Sequence, residues 1–287
     1  MSPPSTFTRR HIGWRAIWSR VAIGACYLAA GLVILPLALI LWHLIAKGIP
    51  ALSLSFFTDM PKPVGEPGGG MANAIVGTLI LVGLGSLFAV PVGVAAGVYL
   101  AEFGRGRFSA TVRYTVDLLA GVPSIVVGVA AYGLVVVPMG GFSALAGGVA
   151  LGILMLPTII RSSEEVIRLV PQSYREAALA LGAPRWKVTQ QVVIPAARAG
   201  IVTASMLAVA RAAGETAPLL FTALGNRFWS TSLVKPIASL PVMVFDYARA
   251  PYDDWNRQAW TGALVLVMIV TVISALLRIT VRRVASR

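Results

Sequence analysis

Long stretches without a charged residue constrain this chain more than any other feature. Residues Val21–Ala46 contain no Asp, Glu, Lys or Arg, and the same holds for Met71–Ala101 and Leu118–Ile160. A helix of about 20 apolar residues crosses the roughly 30 Å hydrocarbon core of a bilayer, so the first two stretches suit one crossing each and the third suits two. Charged residues are 12% of the chain, about half the share that is usual in soluble domains. The sequence therefore predicts an all-α, polytopic membrane protein.

Two further apolar stretches complete the predicted topology. Ala199–Asn226 is interrupted only by Arg211 and Glu215, and Gln258–Leu277 is uninterrupted. We predict an N-terminal segment over 1–20 and a single transmembrane domain over 21–287. The six predicted spans cover about 21–46, 71–101, 115–137, 142–160, 196–223 and 258–280. The two larger hydrophilic segments are loops at about 161–198 and 227–257.

The distribution of positive charge predicts the orientation of these spans. Lys and Arg collect in short cytoplasmic loops. Here they are concentrated before the first span, between the second and third, in the 161–198 loop and after the last span, while the opposite side holds bases and acids in similar numbers. Both termini are therefore expected in the cytoplasm. The formal net charge of +13 then reflects orientation and contact with a lipid bilayer, and no nucleic-acid partner is needed.

The inventory of reactive side chains argues against an enzyme. Cys26 is the only cysteine, and His11 and His43 are the only histidines. A disulfide, a zinc cluster or an iron–sulfur site needs more thiolates than this. The chain also lacks the phosphate-binding pattern G-x-x-x-x-G-K-[ST]. We predict no catalytic residue, no metal ligand and no cofactor on this chain, so any ATP would bind another polypeptide.

A spaced motif lies in the 161–198 loop. The motif begins with Glu176, Ala177 and Ala178, and Gly182 follows after three further residues. After another nine residues come two apolar residues, one on each side of Val193, and then Pro195. The pattern resembles the EAA loop of the inner-membrane permeases of bacterial ABC importers, although Val192 and Ile194 replace the typical isoleucine and leucine. The resemblance implies a coupling helix in a cleft of the ATPase subunit. Composition alone also allows a connector that rests on lipid headgroups.

Local spacing gives three smaller predictions. Gly182 is expected to end the coupling helix with a positive backbone angle. Ser162 and Glu165 have the spacing of a capping box, which predicts a helix start. Asp117 follows Arg113 by four residues, which predicts an ion pair along one helix.

Charged residues inside the fifth predicted span point to a transport pathway. Arg211 lies past the bilayer centre, where a charge costs at least about 2.5–3.5 kcal/mol and is normally retained for a function. Glu215 lies one turn further along the same face, and Thr216 adds a hydroxyl. Gly214 and Pro218 weaken the helix at this point. We predict a helix break at Gly214 and Pro218 and a pathway for a hydrated anion at Arg211, Glu215 and Thr216, with a plain ion pair as the alternative.

Three stretches sharpen the resemblance. They are Arg-Ala-Ala-Gly-Glu-Thr-Ala-Pro at 211–218, Leu-Ala-Gly-Val-Pro-Ser at 119–124 and Ala-Ser-Leu-Pro at 238–241. With them the chain resembles the PstA-type permeases of phosphate-specific ABC importers, and the likeness runs from about Ala72 onward. It implies a type I ABC importer permease-like fold in the bacterial inner membrane and inward transport of inorganic phosphate. The implied partners are a second, PstC-like permease, a dimer of ATPase subunits that bind ATP and Mg, and a periplasmic phosphate-binding protein.

Other functions remain open on the sequence alone. The EAA loop is shared by importers of sulfate, molybdate and organic solutes, and only the 211–218 stretch favours phosphate. A stand-alone secondary carrier would work without an ATPase, but carriers commonly contain paired broken helices and this sequence shows one break. A membrane enzyme is the third alternative.

Overall fold

The computed structural model describes residues 9–66 and 68–285, so part of the predicted 1–20 segment and the C-terminal Arg287 lie outside the described residues. The described chain is almost entirely helical, and its β pairing is limited to an isolated bridge between Leu224 and Ile237. The helices are α1 (Arg9–Gly48), α2 (Leu54–Thr58), α3 (Ala72–Val98), α4 (Gly106–Gly121), α5 (Ser124–Ala131), α6 (Val137–Met139), α7 (Ala144–Arg168), α8 (Gln172–Ala180), α9 (Arg185–Val188), α10 (Ile194–Ala213), α11 (Ala217–Thr222), α12 (Leu240–Arg249) and α13 (Asp253–Ala285).

Several of these helices join into longer stretches. Single π-helical turns at Tyr99–Phe103, Tyr132–Val136 and Thr189–Val193 continue α3, α5 and α9. By length and composition, five stretches of the described residues could cross a membrane, and the α4 and α5–α6 pair makes a sixth if it counts as one bent span. The five are Trp14–Ala51, Ala72–Phe103, Ala144–Arg168, Arg185–Ala213 and Asp253–Ala275. The prediction of an all-α, polytopic protein is confirmed.

The third predicted span, about 115–137, differs from the structure because it is not one straight helix. The chain bends by 107° between α4 and α5. Val122 is extended, with φ −72° and ψ 131°, and Pro123 precedes the first residue of α5. A proline disfavours helical geometry at the residue before it, so Pro123 ends α4 and starts a new helix in another direction.

The core of the molecule is the contact between α3 and α7. Leu81 of α3 and Leu151, Met155 and Ile159 of α7 are buried in one apolar cluster. The two backbones approach closely at glycines: a Cβ on Gly93 would lie 2.7 Å from the Ile159 Cγ2 atom. Small residues permit such close packing between membrane helices. The α3–α7 pair is therefore a stiff unit on which the remaining helices are arranged.

The segment predicted as an external loop, about 227–257, is partly helical. It contains α12, whose Leu240 N–H donates a hydrogen bond of 2.8 Å to the Thr78 hydroxyl of α3. Tyr247 of α12 stacks on Trp255 with ring centroids 4.4 Å apart, and burial raises the pKa of the Tyr247 phenol. The segment thus covers the N-terminal end of α3 with packed side chains.

The predicted 161–198 loop is also shorter than expected. Helix α7 runs through Ser162 to Arg168, so the predicted capping box at Ser162 is wrong. Residues Arg185–Ala213 form one long helical stretch, so the second half of the loop is the beginning of the next membrane helix. What remains as a separate surface element is α8 with the turn that follows it.

Candidate functional site

The two breaks in the membrane helices face each other across a cavity. Helix α10 ends at Ala213 and α11 begins at Ala217, opposite the bend between α4 and α5. The cavity between them has a volume of about 280 Å³. Its lining residues are Leu119, Ala120, Gly121, Val122, Pro123, Ser124, Leu154, Pro157, Thr158, Ala208, Arg211, Ala212 and Glu215. Two of the predicted pathway residues therefore share one cavity with the 119–124 stretch.

Arg211 and Glu215 carry the charge in this cavity. The Arg211 Nε atom lies 3.8 Å from the Glu215 Oε1 atom, which is an ion-pair distance but too long for a hydrogen bond. The Arg211 side chain is 71% exposed, and Glu215 is 20% exposed. A loosely held, accessible guanidinium offers its planar fork of donors to a ligand.

The break in the helix follows from tight turns at Gly214 and Glu215. The Gly214 N–H donates to the Arg211 carbonyl at 3.2 Å, and the Glu215 N–H donates to the Ala212 carbonyl at 3.1 Å. These are i→i−3 bonds, which tighten the end of α10. Thr216 then caps α11, since its carbonyl accepts from the N–H of Leu219 at 3.1 Å. Thr216 does not line the cavity with Arg211 and Glu215.

Pro218 contributes to the site through packing. It is buried at the start of α11 against Gly128 of α5, where a Cβ on Gly128 would lie 2.7 Å from the Pro218 Cα atom. The contact holds α11 against α5, so that the broken helix and the bend stay opposed.

The sequence motifs did not predict that α7 contributes to the cavity. Leu154, Pro157 and Thr158 line it, and none of them belongs to the motifs at 119–124, 211–218 or 238–241. Pro157 lies inside a predicted span, where a proline removes a backbone hydrogen bond. A proline inside an apolar stretch was the available signal.

A cluster of charges lies one turn from the cavity along α4 and α7. The Arg161 guanidinium donates two hydrogen bonds to the Asp117 carboxylate, at 2.8 and 2.9 Å. The predicted pair between Asp117 and Arg113 is therefore wrong. Arg113 instead donates to Glu164 of α7 at 2.7 Å and to the Leu100 carbonyl at 2.6 Å.

Glu164 is the buried centre of this cluster. Its side chain is 1% exposed, and Arg168 and Arg161 also contact it, at 2.6 and 3.4 Å. Helix α4 is thus tied to α7 by a carboxylate that three arginines share. Arg161 and Arg168 have helix spacing from Glu164, but the link to α4 could not be predicted in this way, because Arg113 is distant in sequence.

The residues of the predicted coupling motif lie on α8 and its turn. Glu176 and Ala177 are exposed, and Ala178 is partly buried. Gly182 has φ +80°, as expected. The Gly182 N–H donates to Leu179 at 2.9 Å and the Ala183 N–H donates to Ala178 at 3.2 Å, which is the Schellman pattern at a helix end. Helix α8 therefore has a defined end and presents an exposed surface that includes Glu176 and Ala177.

Comparisons with known proteins agree with this geometry. A model of the family described as "Binding-protein-dependent transport system inner membrane component" matches residues 93–287. The chain belongs to that family. It is therefore a multi-pass permease component of the inner membrane.

Its relatives include several proteins named "Phosphate transport system permease protein PstA". The one from Yersinia pestis is 43% identical over 94% of this chain and 92% of its own length. The one from Haemophilus influenzae is 43% identical over 93% of this chain and 94% of its own length. A Mycobacterium tuberculosis relative, PstA 1, is 37% identical over 95% of this chain and 90% of its own length. The resemblance to PstA-type permeases is confirmed.

A solved structure supports the fold. The chain matches a permease chain in an inward-facing crystal structure of the MetNI methionine ABC transporter with a TM-score of 0.62, at 22% identity over 75% of this chain and 97% of that chain. The predicted type I ABC importer permease-like fold is confirmed.

Proposed function

We propose that this chain is one transmembrane half of an ABC importer that moves inorganic phosphate into the cell. Its partners would be a second, PstC-like permease, a dimer of ATPase subunits that bind ATP and Mg, and a periplasmic phosphate-binding protein. Both termini would lie in the cytoplasm. The chain itself would bind no cofactor and carry out no bond chemistry.

The cavity that joins Arg211 and Glu215 to the 119–124 bend is the observation that carries this proposal. A guanidinium matches the geometry of two phosphate oxygens and keeps its charge at any physiological pH. The Glu215 carboxylate, 3.8 Å away, would accept a hydrogen bond from a protonated phosphate oxygen, which sulfate lacks at neutral pH. The relatives' names point to the same anion.

The energy would reach this cavity from the ATPase through α8. Glu176, Ala177, Ala178 and Gly182 would form the contact, because small residues let a partner surface approach the helix closely. Closure of the ATPase dimer would then switch the cavity near Arg211 between the two faces of the membrane.

The test is uptake of radiolabelled phosphate by cells that lack their own high-affinity phosphate importer and express this chain with its partners. We expect ATP-dependent uptake that excess sulfate or molybdate does not suppress. Arg211→Gln should lower uptake at least about tenfold, because it removes a charge-assisted contact, and Arg211→Lys should retain part of it. The matched control is Arg107→Gln, an exposed arginine at the start of α4 away from the cavity.

Two outcomes would overturn the proposal. Suppression of uptake by sulfate or molybdate would assign the pathway to another oxyanion. Full uptake by an Arg211→Gln complex that assembles in normal amounts would remove Arg211 from the pathway.

A further inference from the structure

Helix α8 rests on the rest of the molecule through few side chains. Most of its residues are exposed and none is buried; only Arg175 and Ala178 are partly covered. Ala178 packs beside an apolar cluster that includes Ile167 and Val188. Arg175 is therefore the long side chain that fixes how α8 is oriented.

The Arg175 guanidinium contacts the ends of two other helices at once. Its Nη2 and Nε atoms donate to the Glu102 carboxylate at 2.6 and 3.1 Å, in the π turn that continues α3. Its Nη1 atom donates to the Val170 carbonyl at 2.6 Å, and Nη2 also donates to the Ile167 carbonyl at 3.0 Å. One side chain thus joins α8 to the C-terminal ends of both α3 and α7.

The chemistry of this contact makes it stiff. Arg175 and Glu102 are 13% and 11% exposed, so water competes weakly for their hydrogen bonds. The Ile167 and Val170 carbonyls lie at the C-terminal end of α7, where the helix dipole favours a cation. A lysine has no planar fork and would satisfy fewer of these acceptors.

The two helices that Arg175 contacts, α3 and α7, connect it structurally to the cavity at Arg211. Helix α3 is locked against α7 by glycine contacts, including Gly97 against Ser163. Helix α7 lines the cavity with Pro157 and Thr158. A displacement of α8 is therefore passed to both helices at their shared end and along α7 to the cavity.

We infer that Arg175 and Glu102 are positioning residues that transmit movement of the ATPase-facing helix to the transport cavity. This inference rests on the proposed function. The pair faces inward while Glu176, the next residue, faces outward, so α8 keeps its partner surface when the pair is lost. Removal of the Arg175–Glu102 pair should therefore lower the amount of phosphate transported per ATP hydrolysed, while the complex still assembles.

The experiment uses the assembled complex in proteoliposomes, with the binding protein and radiolabelled phosphate. It measures phosphate taken up per ATP hydrolysed. We expect the ratio to fall roughly fivefold or more in Arg175→Gln and in Glu102→Gln, within the range of coupling between contacting residues, while the ATPase still copurifies. Arg175→Lys should have an intermediate ratio. The double variant should lose no more than either single one, because both changes remove the same contact.

Arg185→Gln is the control, since Arg185 is exposed and lines the same surface depression as Arg175 and Glu102. It should keep the wild-type ratio. A coupled wild-type complex whose Arg175 and Glu102 variants keep that ratio would overturn the inference alone. So would variants that lower uptake and hydrolysis in equal proportion. A wild-type complex with no ATP-dependent phosphate uptake would overturn the proposed function and this inference together.

Discussion

Glu164 shows how a single residue can hold two membrane helices together. A buried carboxylate is stable only where opposite charges and hydrogen bonds replace its water. Arg113 supplies them from α4, and Arg161 and Arg168 supply them from α7 itself. The negative charge of Glu164 in turn reduces the repulsion among the three arginines.

Substitution of Glu164 should therefore destabilise the molecule strongly. In Glu164→Gln the side chain keeps its shape but loses its charge, and three arginines lose their shared counter-charge. We expect the free energy of unfolding to fall by about 3 kcal/mol, which is the low end for a broken buried ion pair, because Arg168 is half exposed. The melting temperature should then fall by roughly 5 °C or more. The measurement is thermal unfolding of the detergent-purified complex. Glu165→Gln, at the exposed neighbouring position, should leave the melting temperature unchanged; equal shifts in the two variants would contradict the role of Glu164.

These contacts also show where residue-level prediction from the sequence stops. Spacing of four residues paired Asp117 with Arg113, and spacing of three made Ser162 a cap, because both rules consider one helix at a time. The actual partner of Asp117 is Arg161 on another helix, and Ser162 lies inside α7 rather than at its start. Predictions that depended on the local backbone alone, such as the positive φ of Gly182, agreed with the structure.

At the scale of elements, the α3–α7 contact depends on glycine. A Cβ on Gly97 would lie 2.6 Å from the Ser163 Cβ atom and 2.9 Å from the Ile160 carbonyl oxygen. Gly83, on the same helix, has nothing within 4 Å of that position. Both glycines therefore have a helical backbone, but only Gly97 packs closely against α7.

Alanine at these two positions should have opposite effects. Gly97→Ala should cost about 1–3 kcal/mol, as overpacking usually does, because backbone atoms of α7 cannot move aside easily. Gly83→Ala should be neutral or stabilise by up to about 1 kcal/mol through helix propensity. Thermal unfolding of the two single variants checks this. A Gly97→Ala protein as stable as Gly83→Ala would show that α3 and α7 are not locked together.

The bends between elements were only partly predictable. The break after Ala213 was expected from Gly214 and Pro218. The bend of 107° at Pro123 was not, although Pro123 carries the same physical signal, because the apolar stretch around it was interpreted as one crossing. That the two breaks share a cavity is a property of packing between helices, which the sequence pattern does not contain.

At the scale of the whole molecule, the apolar stretches alone were sufficient to predict the fold class. Bilayer thickness fixes the length of a span, so the part of the chain that the structure describes has five helical stretches and one bent pair where the sequence has apolar runs. The loops were less well predicted, because α7 extends beyond the apolar run to Arg168 and α9 begins well before the next one. Polar residues at the ends of long helices were mistaken for connections.

The orientation of the molecule in the membrane is the remaining large-scale prediction. Lys and Arg near α8 predict that this end lies in the cytoplasm, and the segment around Phe228 should then lie outside. Because Cys26 is the only cysteine, Cys26→Ser gives a background without reactive thiols. Phe228→Cys and Leu181→Cys, at positions 79% and 89% exposed, then report the two faces.

In spheroplasts, a membrane-impermeant maleimide should label Phe228→Cys and spare Leu181→Cys until the membrane is permeabilised. The reverse order of labelling would invert the topology, and equal labelling of both proteins after denaturation in detergent is the control that both thiols are reactive.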